Sequence, residues 1–314
     1  MNPVFVIGGA SVDTIVHLDD FPAPQAQTLW ANESYRAVGS TGVGKALNLK
    51  ALGVPVQLHA VVGPDDEGRR IRDTLNDAGV STLLSLSRQP TEQHVNLMTP
   101  RGERLSIFAQ PPAQDVELDW PSIRQALQSS DIAVVNILDY ARPVLAKAKH
   151  LGVPIWTDLH DYDGSNPYHE AFIEAAEVVF LASDNLPDYR KVMEQLINRG
   201  KRLVVCTHGA KGATLVNEAG DWLDQPAYPV ERVRDSNGAG DAFFSGYLYG
   251  HLRGLTERKC LQLAAANGAL CVTSEFLAAS NVCADQLMQI VELGRWPAPV
   301  MGEQDDGTPH QARP

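Results

Sequence analysis

Asp235-Ser236-Asn237-Gly238-Ala239-Gly240-Asp241, running straight into AFFSGYLYGHLRG (242–254), is the stretch on which the reading of this sequence turns. Three small residues precede an acid, and a helical apolar pattern starts at once. Without large side chains, the backbone N–H groups of Gly238, Ala239 and Gly240 can close around a phosphate, and a helix N-terminus adds about half a positive charge there. A carboxylate beside such an anion pocket is placed to take a proton from a hydroxyl attacking a phosphoryl group, while the amides stabilise the charge that builds on the transferred group. Read as architecture alone, the heptad is a Gly-rich turn with Asp241 at a helix start.

Outward from this segment, short apolar strands alternate with helical patterns. Val4–Ile7 ends in Gly8-Gly9, and Val56–Val62 is closed by Gly63. Ile71, Leu75 and Ala78 share one face of a helix over 65–78, which Gly79 ends. Strands at 132–137, 153–156, 178–181 and 203–206 follow, with helices over 143–150 and 187–198. This alternation predicts an α/β fold, a mostly parallel central sheet with helices on both faces. Two stretches, 30–38 and 94–108, read as β segments without an intervening helix and suit a small β-sheet lid. From Asp241 to about Leu293 the chain reads as helical, and no internal repeat is evident. Ligands of open α/β sheets collect beyond the carboxyl ends of the strands. There fall Gly8-Gly9, Gly63, Asn136, Asp158 and Thr207-His208-Gly209.

The 314 residues are 44% apolar and 20% charged, enough for a sizeable core. A formal charge of −12, with no offsetting Lys/Arg cluster, argues against a nucleic-acid partner. No apolar stretch reaches the ~18–20 residues of a membrane span, and the first residues lack the basic region of a signal peptide. The expected location is cytoplasmic, with no membrane partner. Cys206, Cys260, Cys271 and Cys283 form no C-x-x-C pair and read as reduced thiols.

DSNGAGDAFFSG (235–246) resembles the D-T-x-G-A-G-D signature of the ribokinase-like (PfkB) carbohydrate kinase family, with Ser236 keeping the hydroxyl of the usual Thr. The resemblance spans roughly residues 3–280. It implies Asp241 as catalytic base and Gly238, Ala239 and Gly240 as the anion hole. IGGASVDTIVHLDDFP (7–22) is similar to the family's first strand, which makes Asp13 a sugar contact. VVGPDDEGRR (61–70) is similar to its mainly structural G-x-D-x-x-G segment. THGAKGATL (207–215) looks like the stretch beside the nucleotide phosphates, through Thr207, Gly209 and Gly212, and AAANGALCVT (264–273) like the helix bordering the adenine, with Asn267 as the expected contact. The resemblance implies a kinase domain over 1–296, with a lid from about 14–39 and 92–112, while the polar, Pro/Gly-rich end over 297–314 reads as a disordered tail. It also implies ATP and Mg²⁺, allows a monovalent cation (K⁺) beside Asp235, and allows a homodimer through the lid, whose exposed sheet invites covering.

Some positions depart from the family pattern. Its G-G-x-G-A-N element falls on Gly39-Ser40-Thr41-Gly42-Val43-Gly44, so Gly44 stands where an Asn that touches the sugar is common, and Asn48 lies one turn on. The expected acceptor-binding set is therefore Asp13, Gly39, Gly42, Gly44 and Asn48. The family's N-x-x-E is matched only by Asn185-Leu186-Pro187-Asp188, which makes Asn185 a nucleotide-side residue and Asp188 the metal-side acid. Gly39–Lys45 also fits G-x-x-x-x-G-K, but Ala46 lacks the Mg²⁺-binding hydroxyl of a true P-loop. Asp158, His160, Asp161, Asp163, His169 and Glu170 match no zinc spacing. An acceptor that already carries a phosphate would need a cationic pocket, for which Lys45, Arg36 and Arg104 are available. The implied function is transfer of the γ-phosphate of ATP to a hydroxyl of a sugar, sugar-like molecule or nucleoside. A non-catalytic sugar or nucleoside sensor on the same fold is the other reading. A lyase or glycosidase would predict loss of the Gly-Ala-Gly-Asp acid, which is present.

Overall fold

The computed structural model describes residues 2–114, 116–279 and 282–294, so the expected tail over 297–314 lies outside the described residues. Nine strands form the main sheet: β1 (Val4–Ile7), β4 (Val56–Val62), β5 (Ser81–Leu86), β8 (Ile132–Val135), β9 (Ile155–Asp158), β10 (Val178–Ala182), β11 (Leu203–Thr207), β12 (Ala213–Asn217) and β13 (Trp222–Gln225). Their order is β13-β12-β11-β10-β9-β8-β1-β4-β5. All pairs are parallel except β11–β12 and β12–β13, a hairpin at one edge.

Helices cover both faces because the strands are apolar on both. Along β1 the period of two sends Val4 and Val6 into one core and Phe5 and Ile7 into the other. The first core is roofed by α1 (Thr41–Ala51), α2 (Asp66–Asp77), α7 (Ala239–Leu252), α8 (Glu257–Cys271) and α9 (Ala284–Leu293). The second is roofed by α3 (Trp120–Gln128), α4 (Arg142–Leu151), α5 (Glu170–Ala175) and α6 (Tyr189–Asn198). Helix α7 is buried along almost its whole length, as its all-round apolar sequence requires. Gly246 lets α8 approach: a Cβ there would lie 2.8 Å from the Leu263 carbonyl oxygen. Phe244 and Tyr247 then reach the Trp156–Phe180 cluster under the sheet.

The separate small sheet has the order β3-β2-β6-β7, from β2 (Ser11–His17), β3 (Glu33–Gly39), β6 (Glu92–Met98) and β7 (Arg104–Gln110). Strand β3 starts later than the β pattern from Trp30 suggests, and Trp30 itself is 90% exposed. Asp65, expected inside a helix, is the N-cap of α2 and accepts from Gly68 N–H at 2.9 Å. Strand β5 carries no clean apolar run to signal it, because it is a half-exposed edge strand.

Helix α1 begins where the lid returns to the main sheet, and it lies on the end of β1. Val43 N–H donates to Gly9 O at 3.2 Å, and a Cβ on Gly42 would sit 2.5 Å from the Gly8 carbonyl carbon. Backbone cannot give way as a flexible side chain can. Gly42→Ala should therefore cost about 1–3 kcal/mol of overpacking, more than the ~1 kcal/mol that Ala gains in a helix. Gly240→Ala, which meets nothing within 4 Å in the first turn of α7, should unfold at the wild-type midpoint or above it. Denaturant midpoints check this, and equal midpoints for the two variants would contradict the close approach.

Candidate active site

The loop before α7 is a tight turn. Gly238, the N-cap, has φ +79°, and a Cβ there would also press on Leu277 Cδ2 at 2.8 Å, so only glycine fits. Asp235 is buried, and its carboxylate is engaged on both oxygens: Asn237 N–H donates to Oδ1 at 2.7 Å and Tyr35 O–H to Oδ2 at 3.0 Å. Two further bonds tie the loop to the lid. Ser236 O–H donates to Gly102 O at 2.9 Å, and Arg104 donates to Asn237 Oδ1 at 2.7 Å. Gly240 is exposed and faces open space at the tip of α7.

Asp241, in the first turn of α7, is 7% exposed. Its Oδ1 accepts from Lys45 Nζ, and its Oδ2 lies over Gly44, where a Cβ would be only 2.6 Å away. Lys45 also donates to Asp158 Oδ2 at 3.1 Å and has no accessible surface. Burial disfavours the Lys45 ammonium, but the charges of Asp241 and Asp158 outweigh it and push its pKa up. Burial acts against the Asp158 carboxylate too, yet His160 and Lys45 hold its pKa down to about 2.

The lid provides the opposite wall. Asp13 on β2 and His94 on β6 are register partners, so they share one face of the small sheet. Ser11 O–H donates to Asp13 Oδ1 at 2.5 Å, Asn96 to Oδ2 at 3.2 Å, and His94 Nδ1 lies 3.3 Å from Oδ1. The other His94 nitrogen is 2.7 Å from buried Glu92. Burial disfavours the imidazolium, but the two carboxylates prevail and raise its pKa to about 9. Burial, with Asp13 adding to it, pushes the Glu92 carboxyl up against the pull of His94. The buried oxygens Asn96 Oδ1 and Asn136 Oδ1 have no hydrogen-bond partner among the described residues. Asn136 closes β8 and its amide donates to Thr41.

The expected site residues thus separate into three groups. Asp13, Gly39, Gly42 and Gly44 do come together with Asp241, but the glycines act by leaving room. Gly39 clears the Asp13 carboxylate, Gly42 the backbone of Gly8, and Gly44 the Asp241 carboxylate. Thr207, Gly209 and Gly212 stand at the carboxyl end of β11, where Gly209 (φ +55°) faces open space and Gly212 (φ +104°) packs on the backbone of Gln225. Beside them Asn185 donates to Asp161 O at 2.7 Å. Asp188 is exposed and N-caps α6, accepting from Lys191 N–H at 3.2 Å.

Two expected contacts fail. Asn48 is completely buried and donates to Gly44 O and Leu277 O, at 2.8 and 2.7 Å. Asn267 is equally buried, donating to Ala242 O at 2.7 Å and to Asn48 Oδ1 at 3.2 Å. These amides join α1, α7 and α8 instead of facing acceptor or adenine. The cations weighed for a phosphate on the acceptor are also committed elsewhere: Lys45 to Asp158 and Asp241, Arg36 to Glu67, Arg104 to Asn237. Residues missed from the sequence are Tyr35, Glu92, His94 and Asn96. The even-numbered alternation of the last three along β6 carried the signal.

The family model for pfkB carbohydrate kinases matches residues 169–282. The chain is 34% identical over 276 residues to the acarbose 7(IV)-phosphotransferase of Actinoplanes sp., covering 86% of this chain and 92% of that protein. It superimposes on the structure of a microbiome-derived acarbose kinase with TM-score 0.84 at 30% identity, over 93% of this chain and 99% of the other. The ribokinase of Arabidopsis thaliana, solved with ribose and ATP, shares the fold with TM-score 0.76 at 20% identity, over 93% and 99% of the two chains. No helix among the described residues is long and apolar enough to cross a membrane. The chain belongs to the pfkB family of carbohydrate kinases, ATP-dependent phosphotransferases with the ribokinase-like fold.

Proposed function

We propose that this chain transfers the γ-phosphoryl group of Mg·ATP to a hydroxyl of an unphosphorylated sugar or sugar-like acceptor, with Asp241 as general base and the amides of Gly238, Ala239 and Gly240 as anion hole. The observation that carries this reading is the first turn of α7, which sets the Asp241 carboxylate beside the exposed helix tip at Gly240, where a bound phosphate would take the Ala239 N–H from its 3.3 Å bond to Ser236 O. The acceptor oxygen attacks Pγ, the bond from Pγ to the bridging oxygen of ADP breaks, and the hydroxyl proton goes to Asp241 Oδ2. Thr207 and Gly209 border the nucleotide's phosphates.

The magnesium ion arrives with ATP. An ion held chiefly by the phosphates needs few protein ligands, and Asp188 is the acid proposed to serve it. With both Asp235 oxygens already engaged inside the protein, no monovalent-cation site is proposed there.

The acceptor wall is rich in hydrogen-bond acceptors: Asp13, Glu92 and the unpartnered Asn96 and Asn136 oxygens. Such a wall suits a molecule that presents many hydroxyl donors. With two relatives named for acarbose, that pseudo-oligosaccharide is the first acceptor to test, ahead of ribose and nucleosides.

The outer face of the lid carries Val16, Val95 and Leu97, only half-buried, with Leu105 and Ile107 44% and 47% exposed. We propose that a second copy covers this face. Sedimentation should show a dimer that Ile107→Glu converts to monomer. A wild-type monomer would refute the dimer.

Asp241→Asn should keep ATP binding and lose turnover by about 10³-fold or more. Turnover near wild type would remove Asp241 as base, whereas a wild type that binds ATP and sugars without turnover would support the sensor reading. The His94 proton gives a pH signature. With its folded pKa raised to about 9, it stabilises the fold fully below pH 6.5, and that contribution disappears as pH rises through 9. Denaturant unfolding between pH 6 and 10 should show wild type losing stability relative to His94→Gln. Parallel curves would refute the charged His94.

A further inference from the structure

Lys45 is a lysine without accessible surface that touches the base of the reaction. Lysine is almost never fully buried unless paired, and a buried ion pair is weak evidence for stability, since apolar residues of similar volume often do as well. Stability alone therefore does not account for it. Its geometry does suggest a role. The Lys45 ammonium holds Asp241 Oδ1 from below, is braced by Asp158 Oδ2 at 3.1 Å, and lies 5.0 Å from the centre of the Phe244 ring. The preceding residue, Gly44, has no side chain over Asp241 Oδ2. Two adjacent residues of α1 thus treat the two carboxylate oxygens differently: Lys45 ties one and Gly44 leaves the other clear.

We propose that Lys45, braced by Asp158, is a positioning residue for phosphoryl transfer, fixing Asp241 through Oδ1 so that Oδ2 receives the acceptor's proton, and supplying the countercharge that lets a carboxylate stand beside a triphosphate. This role rests on the kinase reading above. It also explains why Gly44 and Lys45 occur together: a side chain at 44 would collide with the very oxygen that Lys45 leaves available. The unit is made of a base, a cation and a bracing acid drawn from α7, α1 and β9, three elements that only the folded sheet brings together. Neither Lys45 nor Asp158 needs to touch the acceptor or the nucleotide for this to work.

The test is kinetics with ATP and whichever sugar wild type phosphorylates. Lys45→Met, similar in length and without charge, should lower kcat by about 100-fold, the scale of a misplaced catalytic group, and leave KM for ATP within about threefold. Lys45→Ala should regain part of kcat on adding ethylammonium or propylammonium, saturably, but not tetramethylammonium, which has no N–H to donate. A merely structural lysine would not show that selectivity. If neither variant folds, Lys45→Gln keeps a donor without the charge and should still lose kcat by about tenfold or more. A kcat within threefold of wild type in Lys45→Met or Lys45→Gln overturns the role. So does a loss that follows the unfolded fraction and that no amine restores. Wild type inactive on every sugar and nucleoside would instead overturn the kinase reading, and this role with it.

Discussion

Two helix starts meet at one carboxylate, and the arrangement of the site depends on how closely they meet. The first turns of α1 and α7 approach until Asp241 Oδ2 lies over the bare Cα of Gly44. Such contact is possible only because α1 opens with glycines at 42 and 44, one against the end of β1 and the other against the base. A carboxylate brought this far from water needs an opposite charge, and Lys45 provides it from the next position in the helix. Close packing and charge pairing are therefore one constraint: the small residues set the distance, and that distance makes the cation necessary.

The lid applies similar physics on the other side of the cleft. Asp13 lies within hydrogen-bonding reach of Ser11, Asn96 and His94, and His94 stands between two acids that keep it charged. The lid also holds the turn before α7 through Tyr35, the Gly102 carbonyl and Arg104. The lid face that carries Asp13 and the turn before α7 are in this way parts of one hydrogen-bonded body. A displacement of the lid would disturb the start of α7 as well as the Asp13 cluster, so in the proposed reaction acceptor binding and phosphoryl-group geometry are coupled.

The sequence made the strand–helix alternation, the lid and the Gly-Ala-Gly-Asp turn legible because each rests on local pattern: apolar runs, a β segment without a helix, small residues before an acid. It made long-range partners illegible. Asn48 and Asn267 sit on helices at positions where an amide facing a ligand and an amide facing another helix look the same in one dimension. Only the α1–α7–α8 packing shows that both are internal cross-links. Asp188 was ambiguous for a related reason, since the acid of a metal site and the acid that caps a helix both precede a helical run, and here it does cap α6. Lys45 did leave a trace: it stands in the apolar stripe continued by Leu49 and Leu52, where a charge needs a buried partner. What no local pattern could supply was which of the chain's many acids that partner would be.

The central claim concerns where the reacting atoms stand, so a structure with both ligands tests it most directly. In crystals grown with a non-hydrolysable ATP analogue, Mg²⁺ and the phosphorylated sugar's parent acceptor, one acceptor hydroxyl should lie within hydrogen-bond distance of Asp241 Oδ2 and in line with a γ-phosphate held at the amides of Gly238–Gly240. An acceptor whose hydroxyls all lie beyond reach of Asp241, or a γ-phosphate bound away from the tip of α7, would contradict the account.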